Sequence, residues 1–285
     1  MTGAEVQLRL PARPENVALV RQAVSGIADA IEVDPALVAD IKTAVTEACN
    51  NVVLHAYADE TEGTMEIDAN PGEEHVIITV RDYGEGMQPH ASAGGGDAPS
   101  PGLGLPLIAA LTDRFEIHGG SERGIVVRMV FLLTEGAKVP DAPNGAVSAE
   151  APEPPTGDST LAAGVDITPG PLMAPVLGRL IAMLAARADF SLERLSDAVL
   201  VTDALSANLD SYIVGKRASV TFQDGRRKID LSVGPLSEGG AERLLEDLKL
   251  PGLKHSLQEL ADDVSVETGK NGRAEFLHVR LSGDA

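Results

Sequence analysis

From Leu37 to Val52 the apolar residues Leu37, Ile41, Val45, Ala48 and Val52 recur every three or four positions, which lays them along one face of a helix. Asp34-Pro35 gives that helix a side-chain cap and then a proline at its first position, where the missing N–H is no loss. Glu47 and Asn51 stand one turn apart at the margin of the apolar face, so both leave the same side and point to a cleft. An earlier helix opens at Pro14, with Val17, Val20, Val24, Ile27 and Ile31 on one face. Glu5–Leu10 alternates and predicts a strand that ends at Pro11. Thr64–Ala69 and His75–Val80 alternate on either side of Asn70-Pro71-Gly72-Glu73, the pattern of an antiparallel hairpin. A third helix follows Gly104, and Phe115–His118 with Gly124–Leu133 predict a closing hairpin through Gly119-Gly120. Strands gathered against helices, without βαβ alternation, predict an α+β fold built as a two-layer sandwich.

Residues 136–164 are rich in Pro, Ala, Gly, Ser and acid and show no periodicity. Such a segment buries too little to offset its ordering entropy and is expected to be a flexible linker between residues 1–135 and 165–285. Residues 165–285 are a faint copy of residues 1–135. Val165-Asp-Ile-Thr-Pro169 mirrors the first strand and its proline, Met173–Ala186 the first helix, and Ser191–Leu209 the central helix, with VTDALSAN standing over VTEACNNV. A hairpin over Ala218–Val233 is expected to turn at Asp224-Gly225, and Pro251-Gly252-Leu253 stands over Pro101-Gly102-Leu103. The polar positions do not survive the copying. Glu47 becomes Asp203, Asn51 becomes Ala207, Gly104 becomes Lys254, and the strand end Lys228–Pro235 has no Asp followed by spaced glycines.

The net charge of −20 argues against a nucleic-acid partner, and the absence of Trp leaves no stacking platform for bases. Residues 1–135 hold 8 Lys/Arg against 21 Asp/Glu, while 165–285 hold 14 against 18, so the first half is the better match for a basic protein surface. No stretch approaches the roughly 20 apolar residues that span a bilayer, and a cytoplasmic location without membrane attachment is expected. Cys49 is the only cysteine, which rules out an intramolecular disulfide or a cysteine zinc site; a small buried apolar residue is its expected role.

A carboxylate and a carboxamide one helical turn apart suit a hard cation and a reacting hydroxyl, since Asn offers a neutral oxygen ligand and Glu accepts a proton or orders water. Two further stretches join them. Arg81-Asp82-Tyr83-Gly84-Glu85-Gly86 leaves the strand His75–Val80, and Gly102-Leu103-Gly104-Leu105 opens the third helix. Taken in order, Glu47-x-x-x-Asn51, Asp82-x-Gly84-x-Gly86 and Gly102-x-Gly104 resemble the three nucleotide boxes of the GHKL ATPase superfamily, whose fold is the Bergerat-type sandwich. Within it, the run from Ile41 through His55-Ala56-Tyr57 and the Val80–Gly86 strand end look most like the bacterial anti-sigma factor serine kinases. The resemblance spans about residues 4–133 and rests on three separated boxes that agree.

That resemblance implies ATP or ADP as ligand, with Asn51 holding Mg²⁺ against the phosphates and Glu47 as general base toward a serine hydroxyl or water. It implies Asp82 as acceptor for the adenine amine, with Gly84 and Gly86 letting backbone approach the base, and Gly102 and Gly104 placing N–H groups on the phosphates. It implies a sigma factor and an anti-sigma antagonist, the phosphorylation substrate, as partners. Family members are typically homodimers, so the degenerate second copy is expected to form an intramolecular pseudo-dimer without binding nucleotide. His55 is assigned a structural place at the helix end. Two departures bear on activity. Gly124 is followed by Ile125 where the family usually has a Thr that contacts the adenine Asp, which lowers the expected adenine affinity. The lid Met87–Pro101 contains no Lys or Arg, which favours a competing reading, a nucleotide-gated binding module without significant kinase activity. A sensor histidine kinase is disfavoured by the lack of a membrane segment or a phosphoacceptor helix.

Overall fold

The computed structural model describes residues 5–57, 63–84, 104–119, 124–134, 136–137, 163–248, 260–269 and 274–283. The chain divides into two compact units, residues 1–21 with 33–161 and residues 22–32 with 162–285. The linker expected over 136–164 and the lid expected over 87–101 lie almost wholly outside the described residues.

In the first unit the elements run β1 (Val6–Pro11), α1 (Pro14–Ala30, whose second half falls to the other unit), α2 (Pro35–His55), β2 (Thr64–Pro71), β3 (His75–Asp82), α3 (Gly104–Leu111), β4 (Arg114–Gly119) and β5 (Ile125–Leu132). Its strands lie in the order β4-β5-β3-β2-β1, every neighbour antiparallel. Helix α2 packs on β3 and α3, the two-layer arrangement that the periodicities predict. The α2 start is local chemistry: Asp34 accepts the N–H of Ala36 at 2.9 Å and Pro35 follows as the first helical residue. At the α1 start Asn16 donates to the carbonyl of Pro11 at 3.0 Å, closing the strand-to-helix turn. Ile31, placed on the α1 face by its spacing, lies one residue past the helix end.

Strict alternation governs β3. Val76, Ile78 and Val80 face the core, where they stand opposite Phe131, Met129 and Val127 of β5, while His75, Ile77, Thr79 and Arg81 take the other face. The fourth inward position is Asp82. Period two therefore delivers a carboxylate to the end of an apolar row.

The second unit has β6 (Ala163–Ile167), α4 (Met173–Arg187), α5 (Leu192–Asn208), a 3-10 turn (Leu209–Ser211), β7 (Ala218–Gly225), β8 (Lys228–Leu236), α6 (Gly240–Asp247), β9 (Asp263–Thr268) and β10 (Glu275–Ser282). Its strand order, β6-β7-β8-β10-β9, repeats that of the first unit element for element. Ser191 caps α5 through Arg194 N–H, and Met173, Val176, Leu177, Leu180, Ile181 and Leu184 form the buried face of α4. One expectation is corrected here, and one element is new. The β7–β8 hairpin turns at Arg226-Arg227 rather than Asp224-Gly225, because the register that sets Phe222 opposite Leu231 and Val220 opposite Val233 matches the larger apolar side chains. Helix α6 was not expected. Its N-terminal N–H groups, Gly239 and Ala241, donate to the Glu275 carboxylate at 2.8 and 3.0 Å.

Candidate active site

The last three turns of α2 set the site. Ala44, Val45, Ala48, Cys49 and Val52 are buried, and this face fixes the helix so that Glu47 and Asn51 remain half-exposed along its edge. The side chains meet a second element at the start of α3. A Cβ placed on Gly104 would lie 3.4 Å from Oε2 of Glu47, 3.4 Å from Oδ1 of Asn51 and 3.5 Å from its Nδ2. Three residues from two of the boxes thus border one small space, which the missing side chain of Gly104 leaves open. The described part of α3 opens at Gly104, and the first-turn N–H groups of a helix have no partner within it.

Asp82 is 3% exposed. Burial pushes its carboxyl above the ordinary range, opposed by the backbone N–H groups of Gly84, at 2.9 Å, and of Ile125. The Thr expected after Gly124 is missing, yet main chain at that position supplies a donor to the carboxylate. Gly84 itself has no room for a side chain, since a Cβ there would overlap the Ala56 carbonyl oxygen at the end of α2. Gly124 donates to the Gly84 carbonyl at 2.8 Å with φ at +87°, a left-handed conformation suited to glycine. The α2 end, the β3 end and the β5 start therefore meet at main-chain contact distance.

Gly86 and Gly102, along with the lid, lie outside the described residues. His55, assigned a structural place, is exposed in the last turn of α2. Cys49 is fully buried and its thiol is pushed up to about 12, the inert apolar role expected of it.

Sequence reasoning passed over two residues. The Tyr57 hydroxyl donates to the Thr64 carbonyl at 2.5 Å and accepts the N–H groups of Thr64 at 3.1 Å and Tyr83 at 3.0 Å. On the other face of the sheet, Tyr83 donates its hydroxyl to the buried Glu66 carboxylate, which also pairs with Arg9 at 2.8 Å and Arg81 at 3.7 Å. The only sequence signal for Tyr57 was its place closing the His55-Ala56-Tyr57 run; Glu66, between Met65 and Ile67, had none, since its basic neighbours Arg9 and Arg81 come from β1 and β3.

Residues 10–131 match the family model of the histidine kinase-like ATPase domain. A serine-protein kinase RsbW from Bacillus velezensis is 32% identical over 138 residues, which cover 45% of this chain and 85% of that protein. The chain belongs to the RsbW family of serine-protein kinases. The RsbW of Halalkalibacterium halodurans is 39% identical over 138 residues and 83% of its length, and that of Bacillus subtilis 31% identical over 85% of its length. Every candidate residue of the RsbW-like site, from Glu47 to Gly104, falls within the matched 10–131. The elements of the second unit from residue 163 on lie beyond that match.

Proposed function

We propose that residues 1–135 bind Mg-ATP and that the chain is a serine-protein kinase acting in partner switching between a sigma factor and an anti-sigma antagonist. The observation that carries this reading is the open space at Gly104, bordered by Glu47, Asn51 and the α3 N-terminus. A Cβ would fill it, and its donors suit a metal-bound phosphate: a carboxamide oxygen for a cation that otherwise keeps water and phosphate ligands, and N–H groups for the anion. When bound, ATP supplies the phosphoryl group and Mg²⁺ neutralises its charge.

The chain's own residues divide the work. Asn51 holds the cation, and Gly102 and Gly104 hold the phosphates through main-chain N–H groups. Asp82 accepts the adenine amine from its buried position, where Gly84 and Gly86 allow main chain close to the base. Glu47 takes the proton from the serine hydroxyl of the antagonist protein. The acidity of the first 135 residues supports a basic patch on the partner. Calorimetry on the full chain tests the site. Asn51→Ala is expected to abolish the Mg²⁺-dependent part of ATP affinity and Asp82→Ala to remove selectivity for adenine; unchanged binding in both would sink the assignment.

A second reading, a nucleotide-gated binding module with no significant transfer, is favoured by the absence of Lys and Arg from residues 87–101. Co-purification with and without Mg-ATP identifies the partner, and labelled ATP then decides whether phosphate reaches it.

We further propose that residues 165–285 are a degenerate copy that stands in for a second subunit. The repeated strand order and the apolar α4 support this, as a C₂-type interface needs like patches on both sides. Light scattering is expected to find the full chain monomeric; a chain that dimerises at micromolar concentration ends the idea.

A further inference from the structure

The turn Asp82-Tyr83-Gly84 is tied down twice, through groups that are not themselves candidates for touching nucleotide. From the α2 end comes the Tyr57 hydroxyl, which accepts the Tyr83 N–H at 3.0 Å and also holds both polar groups of the Thr64 main chain. From the opposite face of the sheet comes Glu66, 4% exposed, which accepts the Tyr83 hydroxyl. Glu66 is in turn held between the guanidinium groups of Arg9 and Arg81, its register neighbours on β1 and β3. A buried carboxylate with two donors and a second guanidinium beside it is satisfied and rigid; with one removed it is a liability.

Tyr57 follows Asn51 by six residues along α2 and its end, and Tyr83 follows Asp82 directly. One hydroxyl thereby links the segment that carries the proposed metal ligand to the residue next to the proposed base acceptor. We infer that Tyr57 is a positioning residue, assisted by Glu66: it fixes the distance between the adenine acceptor Asp82 and the phosphate end at Asn51. This rests on the nucleotide site proposed above. A ligand that must meet both ends at once gains from a pre-set span, because less freedom is lost when it binds. The clamp has no counterpart in propensity or packing, since phenylalanine at 57 would keep the ring and lose all three hydrogen bonds.

The test uses the full chain with Tyr57→Phe, Glu66→Gln, Asp82→Asn and the double variant Tyr57→Phe/Asp82→Asn. Calorimetry with Mg-ADP is expected to show an affinity loss of about tenfold or more for Tyr57→Phe, the scale of one lost hydrogen bond in a buried setting. Glu66→Gln is expected to fall in the same direction. On top of Asp82→Asn, Tyr57→Phe should add little, because its effect runs through where Asp82 sits. A tyrosine that only stabilised the fold would lower the melting temperature and act additively with Asp82→Asn. Wild-type affinity in Tyr57→Phe, or full additivity, overturns the inference. Amide exchange on the nucleotide-free chain separates this from the site itself. Should the wild-type chain bind no Mg-ADP, the proposed site fails, and the clamp is then decided by whether Tyr57→Phe speeds exchange at the Tyr83 and Thr64 amides about tenfold or leaves it unchanged.

Discussion

A Cβ on Gly104 would stand 3.4 Å from Oδ1 of Asn51, close enough to touch and far enough not to clash. Stability and function separate at such a position. Gly104→Ala is expected to leave the melting temperature within the range of a neutral substitution, about 0.5 kcal/mol, since alanine is the better helix former. The same methyl fills the space beside Glu47 and Asn51, so Mg-ATP affinity should fall by about tenfold or more, and Gly104→Val should abolish it. Equal nucleotide binding in the wild type and Gly104→Val would remove α3 from the site.

Asp82 gives a pH signature with a defined sign. Burial raises its pKa in the folded state, so the folded chain binds this proton more tightly than the unfolded one. Between the unfolded and the folded pKa the native state holds more protons, and stability increases as pH falls through the folded value. Above it the cost of the buried charge is in full force. Asp82→Asn should therefore melt at or above the wild-type temperature at neutral pH, with the gap closing as the pH drops into the carboxylate range. A protonated Asp82 also loses acceptor capacity, so adenine affinity should begin to fall at a higher pH than an ordinary aspartate would dictate. Melts of both proteins across pH check this; a gap that does not move with pH would show that burial does not bias Asp82.

Glu47 borders the same space as Asn51, and the proposed function gives it a different step. Glu47→Gln keeps the shape and cannot take the proton, so phosphate transfer to a partner should drop by about 10²–10⁴ with Mg-ATP binding nearly intact. Transfer at the wild-type rate would reduce Glu47 to a structural role.

What the sequence made legible was local. The Asp34-Pro35 start is one cap and one ring, and the inward placement of Asp82 comes from counting by two along β3. The three boxes could be read as a set, and Gly104 does join Glu47 and Asn51. What stayed hidden depends on distant partners. The Tyr57 hydroxyl finds Tyr83, 26 residues away, and nothing in the tyrosine's neighbourhood announces it. Helix α6 sits behind Gly239-Gly240, which reads as a loop, although Ala241, Leu244 and Leu248 keep helical spacing; its cap, Glu275, lies more than 30 residues on. The β7–β8 turn moved past Asp224-Gly225 because the pairing of buried side chains outweighed turn preference.

The second unit repeats the strand order of the first, and its chemistry at the matching helix is different. On α5 the residues standing over Glu47 and Asn51 are Asp203 and Ala207, both exposed. A methyl cannot hold a cation, and at the N-terminus of α6 the Gly239 and Ala241 N–H groups are engaged by the carboxylate of Glu275. An anion arriving there would have to displace a covalently tethered carboxylate already at hydrogen-bond distance. One Mg-ADP per full chain is therefore expected in calorimetry, with the double variant Asn51→Ala/Asp82→Ala losing all of it. Restoring the ligand alone, by Ala207→Asn, should not raise the stoichiometry. A value near two in the wild type, or residual binding in the double variant, would show that residues 165–285 kept a nucleotide site.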